Sequence, residues 1–419
     1  MWNQFKSKSA KGVFSILTGG MVSKAIWAIF GLLLSKFYGP ENFGVYNVFL
    51  SYLGILSVIS TLRLEHILVI TKSSKQIYNF YYFLLKLTVP TSLIVLLIAV
   101  LLGSFGNSEN NLDLSVWTLI GVGSLFSSLV LIQNAFFTRF KFFNAISIGL
   151  IINTGIAILF QLLFYFIFPY EIGYYGLIIG YVLGIISSII YYFRLTKTKS
   201  LKHNISDVKK LLYANKDILK FAFPSESINT LANNLFIILA AIYFDKVEVG
   251  VFALALKILA TPMVLLFNAF SKVYFQKAAQ LFHSNKEKLL SLTLKVSFYS
   301  GALNLVFLIA ANTVGVYLLQ FYFKSDVWPD LGLYMLSISF WIFTRSIVSP
   351  ITQIAIVINR NQFSLWMNIG LLLSNFVGLY FGVQSQSFLI SILAFSISAG
   401  FIYLLFFSVI LVFLKRLKN

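Results

Sequence analysis

The sequence predicts an all-α polytopic membrane protein of about twelve transmembrane helices, arranged as two six-helix lobes. Three observations carry this. Hydrophobic residues make up 59% of the 419 positions and charged residues only 11%, where a soluble domain is near a quarter charged. Apolar runs of about 20 residues, the length that crosses a bilayer core as helix, recur from end to end. A β-barrel would show shorter alternating segments instead. Finally, Lys and Arg fall overwhelmingly on one side of the resulting topology.

The spans read from the apolar runs are 12–35, 42–62, 78–103, 115–137, 142–168, 173–193, 219–243, 248–274, 291–320, 330–358, 362–383 and 387–413. The basic N-terminus MWNQFKSKSAKG leads into the first run without a small-residue cleavage pattern, so the first helix is expected to be retained. With the N-terminus inside, 25 of the 32 Lys and Arg lie on the cytoplasmic side. Lys36, Lys246 and Lys324 lie opposite, and Lys24, Lys86, Lys257 and Arg345 fall within spans. Both termini are therefore expected to be cytoplasmic. The same spread explains the formal charge of +19 without nucleic acid, because no single basic patch forms.

External connections are short. The first, Ser35-Lys-Phe-Tyr-Gly-Pro-Glu-Asn-Phe-Gly44, is expected to be a tight hairpin of about ten residues, with Gly39-Pro40 ending one helix. Pro169 and Pro329 mark other external connections. The long basic cytoplasmic segment 195–218 divides an N-terminal lobe, 1–194, from a C-terminal lobe, 219–419, and is a candidate contact for anionic headgroups. The hairpin has an echo: Gly44-Val-Tyr46 aligns with Gly250-Val-Phe252, at the junction of spans 1 and 2 and again of spans 7 and 8. Six spans is an even number, so the duplication is parallel, with its pseudo-two-fold axis along the membrane normal. Transporters of that design bind substrate between the halves.

Several chemistries are excluded. There is no Cys, and His66, His203 and His283 stand apart, so no disulfide, thiolate metal site or His-rich zinc motif forms. Gly39 and Gly44 have P-loop spacing, but Val45 stands where the motif needs Lys.

The candidate site rests on polar residues within spans, which usually face protein or water. On span 7, Glu226, Asn229, Thr230 and Asn233 share one helical face, after Pro224. Span 8 aligns Lys257, Thr261 and Asn268 beside Pro262. Span 10 aligns Arg345, Ser349 and Thr352 beside Pro350, and span 11 repeats Asn361, Asn368 and Asn375. Span 1 offers Lys24, with Gly20 and Trp27 on its face. Asn, Ser and Thr also serve as helix–helix glue, the favoured reading for the Asn stripe. Lys24, Lys257 and Arg345 read better as lining a water-filled cavity, whereas Lys86 lies nearer an end and can snorkel. Most aromatics are expected to pack or meet lipid, although some suit sugar rings. Gly176, Gly180 and Gly184 form a close-packing face. Glu226, the one carboxylate placed within a span, is expected to pair with Lys257, either as a proton-coupling group or as a static ion pair.

The GG-x-x-x-K pattern ending at Lys24, LLLSKFYGPENFGVYN, Lys220-Phe-Ala-Phe-Pro-Ser225, and Gly250 to Lys257 followed by Thr261-Pro262 resemble the polysaccharide-repeat-unit flippases (the Wzx type) of the multidrug/oligosaccharidyl-lipid/polysaccharide (MOP) exporter superfamily. The resemblance implies two six-helix bundles around a central cavity, alternating access, and a polyprenyl-pyrophosphate-linked oligosaccharide as substrate. It implies a bacterial cytoplasmic (inner) membrane location, a role in O-antigen or capsule assembly, contact with membrane lipids and other surface-polysaccharide assembly proteins, and no catalysis. No cofactor is expected beyond a coupling ion, H+ or Na+. Peptidoglycan-precursor flippases of the superfamily usually have fourteen spans, which this chain lacks. Lys24, Lys257 and Arg345 would hold the pyrophosphate, Arg through bidentate donors and Lys as a point charge. Asn229, Asn233, Thr261 and Asn268 would meet the sugars. The alternatives are a cation-coupled drug exporter of the same superfamily, which would need more acidic groups than Glu226, and a membrane glycan polymerase or ligase, which would need larger external loops.

Overall fold

Ten helices are long and apolar enough to cross a membrane among the described residues, and no strand occurs among them. The structure, a computed structural model, describes residues 2–71, 73–105, 112–168, 172–196, 205–216, 218–323, 327–358 and 360–418. Lys72, Pro169, Lys197, Lys199, Lys202, His203 and Lys324 lie outside the described residues, as do the side chains of Lys6, Lys8, Lys11, Asn268, Lys272, His283, Asn361 and Lys418.

Helix α1, Trp2–Thr61, contains the first two expected spans. Its apolar part from Val22 to Thr61 is 40 residues long, about 60 Å of helix, twice the thickness of a bilayer core. It is broken at Gly39, at φ 75° and ψ 171°, a region open essentially to glycine alone. Pro40 then starts the second arm, where its missing N–H costs nothing. The expected ten-residue hairpin is thus compressed into one non-helical residue, with Lys36 to Tyr38 and Glu41 to Gly44 helical on either side. The other departure from twelve is span 7. Helix α8, Phe223–Tyr243, is not among the ten apolar helices, because Glu226, Asn229, Thr230, Asn233 and Asn234 make it polar.

The chain forms two compact units. The first comprises Met1–Tyr38 and Val45–Thr230; the second comprises Gly39–Gly44 and Leu231–Asn419. The sequence places the boundary in the linker 195–218, whereas the start of α8 groups with the first unit and a short piece of α1 with the second.

In the first unit follow α2 (Glu65–Ile70), α3 (Ser74–Phe105), α4 (Leu114–Arg139), α5 (Phe143–Ile167), α6 (Gly173–Leu195) and α7 (Ile205–Ala214). Of the α6 glycine face, Gly180 and Gly184 pack directly on α5, where added methyl groups would collide with Gln161, Ala157 and the Asn153 carbonyl, while Gly176 meets the Tyr38 ring of α1. Val208 of the amphipathic α7 joins a core with Ile67, Phe80, Tyr81, Phe136 and Tyr192.

The second unit contains most of α8, then α9 (Lys246–Ser284), α10 (Lys286–Ala310), α11 (Val316–Tyr322), α12 (Leu331–Val348), α13 (Ile354–Val357), α14 (Asn361–Gln384) and α15 (Phe388–Lys418). Phe236 stacks on Phe395 and contacts Phe252 and Phe388 in its core. Both glycines of the sequence echo fall in this unit. A methyl on Gly44 would overlap the Lys246 carbonyl oxygen, and one on Gly250 would overlap that of Pro40. The two equivalent segments therefore cross backbone to backbone, which explains why Gly stands at both positions.

Candidate functional site

Helix α8 brings the polar residues of span 7 to one face, as their spacing dictates. A π-helical turn, Ile218–Ala222, precedes it, next to Pro224. Asn229 and Asn233 are exposed, while Glu226 and Thr230 are half-buried. The Thr230 hydroxyl donates to the Glu226 carbonyl at 2.8 Å.

Within the first unit, the ion-pair partners of Glu226 are Arg63 and His66. Arg63 Nε lies 2.5 Å from Oε2 and His66 Nε2 lies 3.2 Å from Oε1. Arg63 Nη1 also reaches Oε1 of the buried Glu65 at 3.3 Å. The turn that presents these groups places Leu62 and Arg63 in the left-handed region, at φ 51° and 56°. Such strain persists where the surroundings fix it, and here two carboxylates do. The Glu226 carboxylate against its Nε2 raises the His66 pKa above the ordinary imidazole value, with burial opposing. The sequence reading counted Arg63 among cytoplasmic charges and His66 as an isolated polar residue. The signal it passed over is the run Arg63-x-Glu65-His66 directly after an apolar span.

Lys24 is exposed on α1. Its neighbour Ser23 ties that helix to α5 through a 2.6 Å hydroxyl contact with Thr154.

In the second unit, the cations rest on aromatic rings. Lys257 Nζ lies 5.2 Å from the centre of the Phe43 ring, and Arg345 Cζ lies 5.2 Å from that of Trp341. Such contacts hold a cation through the ring quadrupole. Thr261 is half-buried near Lys257 on α9, and the side chain of Asn268 lies outside the described residues. Helix α12 ends at Val348, and a 3-10 turn, Ser349–Ile351, carries Pro350, so the backbone yields where that proline predicts. In the span 11 stripe, fully buried Asn375 serves as glue, donating to the Ala232 carbonyl at 3.3 Å. On α10, Ser300 and Asn304 donate to the Ser346 and Ile342 carbonyls of α12. Among the described residues no three His, Cys, Asp or Glu side chains gather to hold a metal.

Comparison with known proteins fits this architecture. The polysaccharide biosynthesis protein family matches residues 9–275. No curated protein matches the sequence. Among solved structures, the chain is similar to an inward-facing multidrug resistance MATE family transporter of the MOP superfamily (15% identity, TM-score 0.72, covering 94% of this chain and 96% of that one). It is similar to the lipid II flippase MurJ in an inward closed conformation (14%, 0.73, 94% and 87%). A third is a MOP superfamily transporter from Pyrococcus furiosus with a binding pocket of reversed polarity (15%, 0.54, 99% and 96%). At these identities the likeness establishes fold, and the family match extends over more than half of the chain: it is a multi-pass membrane protein with the fold of the MOP transporters and belongs to the polysaccharide biosynthesis protein family.

Proposed function

We propose that the protein flips polyprenyl-pyrophosphate-linked oligosaccharide units from the cytoplasmic to the external leaflet of the bacterial inner membrane, by alternating access, for O-antigen or capsule assembly. Its termini are cytoplasmic, as the distribution of Lys and Arg supports.

The observation that carries this reading is the charge balance. Glu226, the one carboxylate read within a span, already faces two cations of its own, Arg63 and His66. Against that one carboxylate the spans carry three candidate cations, Lys24, Lys257 and Arg345. A diphosphate that must cross a low-dielectric layer needs such a set, Arg as a planar fork and the lysines as point charges. The exposed Asn229 and Asn233, with Thr261 and Asn268, supply hydrogen bonds to sugar hydroxyls. Coupling to H+ falls to Glu226 with His66, since imidazole is the side chain that titrates near neutral pH.

The test is flipping of a fluorescent lipid-linked oligosaccharide in proteoliposomes. Wild type moves the lipid and Arg345→Ala does not. Export of a cationic dye without lipid movement would contradict the reading.

A further inference from the structure

We infer that Trp27, backed by Tyr46 and Tyr181, is a stacking subsite for the sugar joined directly to the pyrophosphate of a lipid-linked glycan. This rests on the reading of Lys24 as a pyrophosphate ligand and assigns the adjacent position.

The geometry is local to the first unit. Trp27 is half-buried and lies over the ring of Tyr46, 6.5 Å between centroids and 25° from parallel. Tyr181 meets both rings, at 6.3 Å from Trp27 and 6.1 Å from Tyr46. Tyr46 is the fixed base of the group. It is 1% exposed, and its hydroxyl accepts from Gln161 Nε2 at 3.4 Å. Gln161 is itself held by donating to the Leu177 carbonyl at 2.8 Å. A rigid base under two half-exposed rings is a preorganised platform, not a set of mobile side chains.

Trp27 shares one face of α1 with Gly20 and Lys24. Lys24 is exposed about 22 Å of helix before the Gly39 break, and a lysine at such depth faces water or protein, not lipid. The exposed residues Val22, Ala25 and Ile29 form a separate apolar stripe on that arm. Gly20, one turn before Lys24, has open space where a side chain would be.

Spacing connects the two groups. Lys24 and Trp27 are three residues apart on a helix, which puts their Cβ atoms about 5–6 Å apart. The first sugar of a lipid-linked glycan is bonded through one oxygen to the terminal phosphate, so its ring lies at the same range from the charge. A diphosphate on Lys24 therefore carries the first pyranose onto Trp27. The apolar C–H face of the pyranose meets the π face of the indole. Residues holding later sugars need not be aromatic.

Full-length protein in nanodiscs separates these terms with two probes: polyprenyl pyrophosphate, and the same lipid bearing one N-acetylglucosamine. Wild type is expected to bind the sugar-bearing lipid about tenfold more tightly, near the most that one aromatic contact supplies. Trp27→Leu should erase that preference while leaving affinity for the bare lipid unchanged, and Trp27→Tyr should keep most of it. Tyr181→Leu should also reduce the preference, which tests the platform should Trp27→Leu fail to fold. Lys24→Ala should weaken both lipids equally. Equal wild-type affinity for the two probes, or a Trp27→Leu variant that keeps the preference or weakens both lipids alike, overturns the subsite. Wild type binding neither probe refutes the lipid-pyrophosphate reading itself, and the subsite falls with it.

Discussion

One charge cluster in each unit shows a different way of holding an ion. In the first, Glu226 is clamped by Arg63 and His66 at ion-pair distance. In the second, Lys257 and Arg345 lean on the rings of Phe43 and Trp341. The first arrangement ties two chain segments together and spends its charge doing so. The second fixes the position of a cation against a ring. On the proposed function, the first kind of charge holds the fold and the second holds the substrate.

The largest expected effect comes from removing the ring-held cations. Arg345→Ala and Lys257→Ala should each reduce transport by about 30-fold or more, the lower end of what losing one partner of a desolvated charge pair costs. The melting temperature should change little, because a ring contact is worth only about 0.5–2 kcal/mol. Arg345→Lys should fall between, since the planar fork is lost. A variant that loses fold and transport together would erase the distinction between the units.

Next is the backbone crossing that fixes Phe43 near Lys257. Gly250→Ala pushes a methyl into the Pro40 carbonyl oxygen and should destabilise by about 1–3 kcal/mol, as overpacking does. Gly20→Ala, with open space around it, should be near neutral, and thermal unfolding of the two variants side by side gives the contrast.

Glu226→Gln should cost about 1–2 kcal/mol of stability, less than the loss of a fully buried pair because the carboxylate is 38% exposed. It should also remove the pH response of transport if Glu226 couples to protons. Normal transport with an intact pH response in Glu226→Gln would leave only the structural role.

The smallest effect is the pH dependence of the tie itself. The folded His66 pKa is raised above its unfolded value, so the stability it contributes is fully present below about pH 6.5 and is lost as pH rises through the folded pKa. The melting difference between wild type and His66→Ala should be greatest at acid pH and shrink on the alkaline side. A difference that grows with pH would reverse the assignment.

Much of the fold was legible because it follows from local rules. Apolar runs give spans, Gly180 and Gly184 give the α5–α6 contact, and Pro350 gives the break after α12. Two features were hidden for definable reasons. Gly39 and Pro40 signalled a break, but a linear reading does not show that glycine's positive φ and proline at the first helical position complete it in one residue. The partners of Glu226 lie across the chain, and no periodicity links position 226 to positions 63 and 66. Spacing did align Glu226, Asn229, Thr230 and Asn233, because one helix sets their positions. The tenuous Gly44–Gly250 alignment has a physical counterpart in the crossing of those two backbones.

Sidedness is open to a direct check. Reporter fusions truncated after Ser284 should report the cytoplasm, and those after Ser385 the exterior.

The central claim is that Lys24, Lys257 and Arg345 carry a lipid diphosphate, and flipping by a variant with all three replaced by Gln tests it most directly. In proteoliposomes, with folding checked by thermal unfolding, the variant should leave a fluorescent polyprenyl-pyrophosphate-linked oligosaccharide in its starting leaflet while wild type equilibrates it. A stable triple variant that flips the lipid at the wild-type rate would contradict the claim.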